Sequence, residues 1–234
     1  MQKANLSILS TRPLDSQLIQ EALQHHISID CISFIETKAI QNEGLGQQLA
    51  QLSNQNITAV FTSMNAVDAV HNYINNKVDW AIYSIGNTTK QLISEVFGAE
   101  HITGTAEDAS ALADKIIKDN RQHVVFFCGD QRREELPSKL EAAQINLQEI
   151  TVYHTVETAE KITKDYDGIL FFSPSAVNSF FSVNKINKNT VVFAIGRTTA
   201  TAIKQYVNNN IIIADSPGKE NLVKEMIAYF STKN

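Results

Sequence analysis

Two segments of the 234-residue sequence occur twice in similar form. FTSMNAV at 61–67 is matched by FFSPSAV at 171–177, and SIGNTTKQLI at 84–93 is matched by AIGRTTATAI at 194–203. The two copies are separated by the same length of chain in both pairs, and a constant separation indicates an internal duplication. The sequence therefore predicts two similar units with the same order of secondary structure.

Short apolar runs alternate with longer segments that have the periodicity of amphipathic helices. The runs are nearly continuous, which is typical of parallel strands buried on both faces of a sheet. The sequence therefore predicts an α/β fold in which parallel sheets are flanked by helices. Strands are expected near 6–11, 57–63, 81–86, 100–103, 123–128, 168–173, 191–196 and 211–214, and helices near 14–26, 43–54, 64–75, 88–97, 106–119, 133–143, 175–184, 198–208 and 219–231.

Two further segments, starting at Ile27 and at Ile145, alternate apolar with polar residues and are interpreted as extended connectors. If they lie side by side, each satisfies backbone hydrogen-bonding groups of the other. The chain then forms two similar α/β domains joined by a two-stranded β linker. The expected division is a discontinuous domain of 1–30 plus 157–234, a continuous domain of 38–149, and linker strands at 31–37 and 150–156.

The alternative is two sequential domains, 1–118 and 119–234. The discontinuous arrangement is favoured because a lone extended linker would expose its backbone groups. In that arrangement the chain crosses between the domains twice and is expected to leave a cleft, a common place for a ligand site.

Net charge and cysteine content exclude several classes of function. The net charge of −5 argues against nonspecific nucleic-acid binding, which needs a basic surface. Cys31 and Cys128 form no CxxC motif, so neither a disulfide framework nor a zinc site is expected.

The first residues lack the pattern of a signal peptide, and no apolar run reaches the ~18 residues of a membrane span. We therefore expect a cytoplasmic protein, and a monomer because no exposed apolar segment calls for a partner.

Hydroxyl side chains follow several strands where a helix is expected to begin. Such residues favour N-cap positions, and helix N-termini bind anions through unpaired backbone N–H groups. Because these turns gather at the carboxyl ends of parallel strands, four of them are expected to bind one ligand with several carboxylates or phosphates. For each residue alone, the alternative is an ordinary cap without a ligand. The residues are Ser63, Thr88, Thr89, Ser173, Ser175, Thr198 and Thr199.

Glycines and basic residues accompany these turns. Gly86 and Gly196 end two strands, where glycine permits a positive φ or a close approach of a ligand to the backbone. A guanidinium binds a carboxylate through two parallel hydrogen bonds, although a solvated surface charge is the commoner outcome for any one residue. The basic candidates are Arg12 after the first strand, Arg132 and Arg133 after VVFFCGDQ, and Lys90 and Arg197 within the glycine turns.

Candidates for acid-base chemistry are few. The six histidines show no useful spacing, and no GxSxG, HExxH or paired-carboxylate motif is present. Tyr153 lies in the connector EITVYHT, where a phenol on a hinge could reach a ligand and exchange a proton. A half-buried strand tyrosine without a chemical role is the alternative.

Eight short motifs occur in a fixed order along the sequence. They are STRP at 10–13, FTSMNAV at 61–67, IGNTT at 85–89, CGDQRREELPSKL at 128–140, ITVYHT at 150–155, FFSPSAV at 171–177, IGRTTA at 195–200 and ADSPGKENLV at 214–223. By their order and spacing, these motifs resemble the uroporphyrinogen-III synthase family over nearly the whole chain. Relatives often have Arg-Gly at the position of Cys128-Gly129 and proline at the position of Arg197, so this sequence departs from the family pattern twice.

The resemblance implies a two-domain enzyme that converts linear hydroxymethylbilane into uroporphyrinogen III, with loss of water and inversion of ring D. It implies no metal and no organic cofactor, and a possible transient hand-over of substrate from the upstream hydroxymethylbilane synthase. The family's linker tyrosine corresponds to Tyr153, as the group that assists departure of the hydroxyl. Its threonine and serine contacts to the substrate correspond to Thr62, Ser63, Thr89, Ser173, Ser175 and Thr199, and Arg12 and Arg133 are the accompanying candidates.

Two other classes compete with this reading. A non-catalytic two-domain protein would bind a small polyanion in the cleft without turnover. A glycosyltransferase would need a nucleotide site, and the sequence contains neither GxGxxG nor GxxxxGK[ST].

Overall fold

The computed structural model describes residues 6–74, 77–216 and 218–232. Residue 75 of the expected helix 64–75, Pro217 of ADSPGKENLV, and residues 1–5, 233 and 234 of the expected discontinuous domain lie outside this range. Contacts divide the chain into two compact units: unit 1 holds the described residues up to Glu36 and from Val156 onward, and unit 2 is Thr37–Thr155.

Strands and helices alternate along the chain as the hydrophobic pattern predicts. A short 3₁₀ helix at Ala99–His101 precedes β6. In order, the elements are β1 Leu6–Ser10, α1 Ser16–Gln24, β2 Ile27–Cys31, β3 Ile35–Ala39, α2 Glu43–Ser53, β4 Asn56–Phe61, α3 Met64–His71, β5 Asp79–Ile85, α4 Asn87–Val96, β6 Ile102–Ala106, α5 Ala109–Lys118, β7 His123–Gly129, α6 Glu135–Ala142, β8 Asn146–Glu157, β9 Gly168–Phe171, α7 Pro174–Val183, β10 Val191–Ala194, α8 Arg197–Lys204, β11 Ile211–Ile213 and α9 Lys219–Thr232.

Two sheets organise these elements. Unit 1 contains a parallel sheet in the order β11-β10-β9-β1-β2. The second sheet has the order β3-β8-β7-β4-β5-β6, and its strands β8, β7, β4, β5 and β6 are parallel. The predicted α/β class, with helix-flanked parallel sheets, is therefore confirmed.

Alternate residues of the central strands enter separate cores on opposite faces of each sheet. In β1, Ile8 packs with the α1 and α9 side, whereas Leu9 packs with the α7 and α8 side. In β4, Phe61 and Val60 are divided in the same way between two cores of unit 2. Burial on both faces explains why these strands have no polar alternation.

The expected connectors also act as strands of the sheets. The first divides into β2, which pairs with β1, and β3, which is the hydrogen-bonded neighbour of β8. The second is the long strand β8, whose first part pairs with β7 from Asn146 to Tyr153. The connector segments therefore supply the last strand of each parallel run, a role that their alternating pattern did not reveal.

None of the helices in the described ranges is long and apolar enough to cross a lipid bilayer.

Candidate functional site

The duplicated FTS and FFS segments form helix caps. Ser63 and Ser173 have extended backbones, and their hydroxyl oxygens accept hydrogen bonds from the amides of Asn65 and Ala176, each at 3.2 Å. A hydroxyl that accepts at a cap keeps its own O–H proton for another acceptor. Each serine can therefore stabilise its helix and still donate to an anion.

The duplicated glycine turns are built differently. Gly86 and Gly196 occupy the N-cap positions of α4 and α8, and neither helix has a side-chain cap. The expectation that threonines cap these helices is wrong, because Thr88, Thr89, Thr198 and Thr199 already lie in the first turn. Since glycine has no side chain to pair with them, the first-turn amides are the strongest candidates for anion binding.

Thr89 and Thr199 are buried, with 5% and 1% of their surfaces exposed. For each of these two threonines, the backbone amide in the first helical turn is therefore a better candidate for contact with a ligand than the side-chain hydroxyl. Thr62, between β4 and the cap, and Ser175, in the first turn of α7, are half-buried.

The two glycines differ in backbone conformation. Gly86 has φ 73° and ψ 164°, a region that is essentially restricted to glycine. Gly196 has φ −177° and ψ 176°, an extended conformation that any residue adopts. Of the two roles expected for these glycines, a positive φ applies to Gly86, whereas room for a ligand to approach the backbone is the one that remains for Gly196. A Cβ atom on Gly196 would have no heavy atom within 4 Å, so the surrounding space is open to a ligand.

In unit 1, Arg12 and Phe172 lie at the carboxyl ends of the neighbouring strands β1 and β9. The guanidinium carbon of Arg12 is 5.8 Å from the centre of the Phe172 ring, within the range of a cation–π contact. The Thr11 hydroxyl donates to the Leu170 carbonyl at 2.8 Å and ties the two strand ends together. Sequence reasoning missed Phe172, although an aromatic residue aligned with Thr62 was a visible asymmetry between the repeats.

In unit 2, the two neighbouring arginines have different surroundings. Arg132 forms ion pairs with Glu134 and Glu149, and its guanidinium is therefore already neutralised. Arg133 is exposed and remains the better candidate for a ligand carboxylate. Lys90 and Arg197 are also exposed, within the first turns of α4 and α8.

Tyr153 lies on β8 at the end of the paired region. Its side chain is half-buried and packs against the apolar core of unit 2. The ring lies directly over Gly129, since a Cβ atom added there would be 2.5 Å from the ring carbons Cε2 and Cζ. The preceding Cys128 is buried, and burial, with a smaller effect from Glu149, raises the pKa of its thiol to about 11. The thiol therefore stays neutral at physiological pH.

His154, for which the sequence showed no useful spacing, has a carboxylate neighbour in the structure. Its Nδ1 atom is 3.1 Å from Oδ2 of Asp130, which follows Gly129. The other oxygen of this carboxylate accepts a hydrogen bond from the Thr155 amide at 2.9 Å. Within the described ranges, no group of three or more His, Cys, Asp or Glu residues is placed to bind a metal ion.

The fold is shared with solved uroporphyrinogen-III synthases. A mutant of the enzyme from Thermus thermophilus aligns with a TM-score of 0.63 and 12% identity over 98% of this chain and 100% of that chain. The enzyme from Helicobacter pylori, described as uroporphyrinogen-III synthetase, aligns with a TM-score of 0.66 and 14% identity over 96% and 99% of the two chains. Among curated protein sequences, none matches significantly.

The family model described as uroporphyrinogen-III synthase HemD matches residues 16–224. This span includes the Gly86 and Gly196 turns, the Ser63 and Ser173 caps, and Tyr153. Because the match covers most of the sequence, the chain belongs to the uroporphyrinogen-III synthase family.

Proposed function

We propose that Tyr153 and the polar strand-end turns carry out the reaction of this family in this chain. The chain is a cyclising lyase of tetrapyrrole biosynthesis, a uroporphyrinogen-III synthase. Its reaction closes linear hydroxymethylbilane into uroporphyrinogen III with inversion of ring D and loss of one water. The family match does not favour the alternative of a non-catalytic polyanion-binding protein.

Tyr153 is the proposed general acid. The phenol donates its proton to the departing hydroxyl, which leaves as water and gives an azafulvene cation. The substituted carbon of ring D attacks this cation and forms a spiro intermediate, which reopens and closes with ring D inverted. The proton released on closure restores the phenol. The observation that supports this role is the position of Tyr153, half-buried at the end of the paired region of β8 with its ring held against Gly129.

The substrate carboxylates are proposed to bind at the strand ends. The first-turn amides of α4 and α8, at Thr89 and Thr199, lack a side-chain cap and attract anions. The hydroxyls of Thr62, Ser63, Ser173 and Ser175 donate further hydrogen bonds. Arg12 and Arg133 add charge. These groups orient a flexible substrate, and orientation decides which isomer forms because the linear substrate also cyclises without an enzyme.

The domain assignment is part of the proposal. We propose that 1–30 plus 157–234 and 38–149 are two domains descended from one duplication, joined by strands at 31–37 and 150–156. The two compact units and the repeated turns support this division.

A cytoplasmic location, a monomeric state and a transient hand-over from hydroxymethylbilane synthase are further expectations. The free state of Cys31 and Cys128 agrees with a reducing compartment.

The test is an isomer analysis by chromatography. Hydroxymethylbilane incubated with the purified protein should yield the type III isomer, whereas a blank yields type I. Tyr153→Phe should lower kcat by roughly 10- to 1000-fold, somewhat less than the ~100- to 10,000-fold contribution usual for a general acid, because water can substitute for the phenol in part. Tyr206→Phe is the matched control, because Tyr206 is an exposed tyrosine whose hydroxyl contacts Asn178. Type I product alone would refute the activity, and a Tyr153→Phe rate equal to wild type would remove Tyr153 from the mechanism.

A further inference from the structure

Asp130 forms hydrogen bonds with the backbone at Tyr153 and Thr155, through its own amide and through its carboxylate. Its amide donates a hydrogen bond to the Tyr153 carbonyl at 3.2 Å. Its carboxylate accepts from the Thr155 amide at 2.9 Å and contacts His154 Nδ1 at 3.1 Å. One residue at the end of β7 therefore contacts three successive residues of β8, and the first of them is Tyr153.

These contacts follow an irregularity in the pairing of β7 with β8. Cys128 pairs with Thr151, whereas Gly129 pairs with Tyr153, so one extra residue of β8 is accommodated between them. Irregularities of this kind re-aim a side chain and locally weaken the ladder. The contacts of Asp130 restrain β8 just beyond the irregularity, and Gly129 leaves room for the Tyr153 ring.

We infer that Asp130 is a positioning residue for Tyr153. It acts by fixing the backbone of β8 at residues 153–155, which keeps the phenol in the place from which it donates its proton. This inference rests on the proposed acid role of Tyr153. Nothing in it requires Asp130 to touch the substrate.

The two contacts of the carboxylate differ in importance. His154 is 55% exposed and Asp130 33% exposed at their side chains, and an exposed pair of this kind contributes little. The bond to the Thr155 amide restrains the main chain directly. Loss of the Thr155 contact should therefore matter more than loss of the His154 contact.

The variants separate these contacts. Asp130→Asn keeps a side-chain oxygen for the Thr155 amide, and its kcat should stay within about threefold of wild type. His154→Gln should have a similarly small effect. Asp130→Ala removes both contacts and should lower kcat roughly 10- to 100-fold with KM changed less than about threefold, because small displacements of a catalytic group are costly and substrate binding is untouched.

A double-mutant cycle with Tyr153→Phe distinguishes positioning from a general structural role. If Asp130 acts through the phenol, Asp130→Ala in the Tyr153→Phe background should lower kcat by no more than about twofold. Melting temperature and circular dichroism of each variant show that it is folded. If Asp130→Ala does not fold, the same cycle is run with Asp130→Ser, whose side chain is shorter than that of aspartate.

The outcomes separate the two hypotheses. If Tyr153→Phe is as fast as wild type, the proposed acid role fails. If Tyr153→Phe is slow but Asp130→Ala lowers kcat by the same factor in both backgrounds, the acid role stands and the positioning role of Asp130 is overturned. An Asp130→Asn variant as slow as Asp130→Ala would also overturn it, because the amide oxygen should rescue the Thr155 contact.

Discussion

The ring of Tyr153 fills the space that a side chain at position 129 would need. A Cβ atom on Gly129 would lie 2.5 Å from two carbons of the Tyr153 ring and 2.8 Å from its hydroxyl oxygen, distances that side-chain atoms do not adopt without movement. The glycine is needed here for close approach of a ring. The position of the phenol therefore depends on the absence of one methyl group on the neighbouring strand.

Gly129→Ala should consequently displace Tyr153. We expect a loss of about 1–3 kcal/mol in the free energy of unfolding, the usual range for overpacking, together with a fall in kcat. Denaturant unfolding and turnover of hydroxymethylbilane measure the two effects. Gly44→Ala is the matched control in the same unit, because a Cβ there would make only an ordinary 3.5 Å contact with Asn42. Wild-type stability and turnover in Gly129→Ala would show that the ring does not need this space.

Alanine substitutions at Gly86 and Gly196 test two different effects: backbone strain at Gly86, and the approach of a ligand to the backbone at Gly196. Gly86→Ala should destabilise the protein by about 1–3 kcal/mol, because its conformation is strained for other residues. Gly196→Ala should change stability by less than about 0.5 kcal/mol, since its backbone is extended and its surroundings are open. If a substrate carboxylate approaches the start of α8, the added methyl group should still raise KM. An unchanged KM in Gly196→Ala would argue against substrate binding at this turn.

Ser173 is expected to combine capping with carboxylate binding, and two substitutions separate these roles. Ser173→Ala should cost about 1 kcal/mol of stability through loss of the cap. Ser173→Asp should retain the cap, as Asp108 does for α5, but should raise KM because it repels a substrate carboxylate. Thermal unfolding and steady-state kinetics measure the two effects. Asn42→Asp, at a cap outside the proposed set, should leave KM unchanged. A KM for Ser173→Asp equal to that of wild type would exclude a carboxylate from this position.

Tyr166 should make unit 1 sensitive to alkaline pH. Burial raises its pKa to about 12, with the hydrogen bond to Asp30 and the charge of that residue adding to the effect. An unfolded tyrosine loses its proton near pH ~10. Between these values the folded state binds more protons than the unfolded state, so stability should fall as the pH rises. Tyr166→Phe should show a smaller loss of melting temperature than wild type between about pH 10 and about pH 12. Equal losses in the two proteins would contradict this assignment.

Local patterns predicted most of the secondary structure. Continuous apolar runs such as ITAVF marked strands buried on two faces, and β4 is one of them. The hydroxyls of FTS and FFS marked helix starts, and Ser63 and Ser173 are caps. Local patterns were less informative where two residues competed for one role. In IGNTT and IGRTT both glycine and threonine are compatible with a helix start, and the backbone conformation places glycine at the cap.

The sequence by itself determined the order of strands and helices, the duplication, and the place of the polar turns, because periodicity and turn chemistry act between residues close along the chain. The tertiary structure alone decided that Gly129 accommodates the ring of Tyr153 and that Asp130 binds the Thr155 amide. These partners are far apart in sequence, and a one-residue shift in the register of β7 and β8 brings them together. Strand register is set by packing of the whole sheet, so no local pattern encodes it.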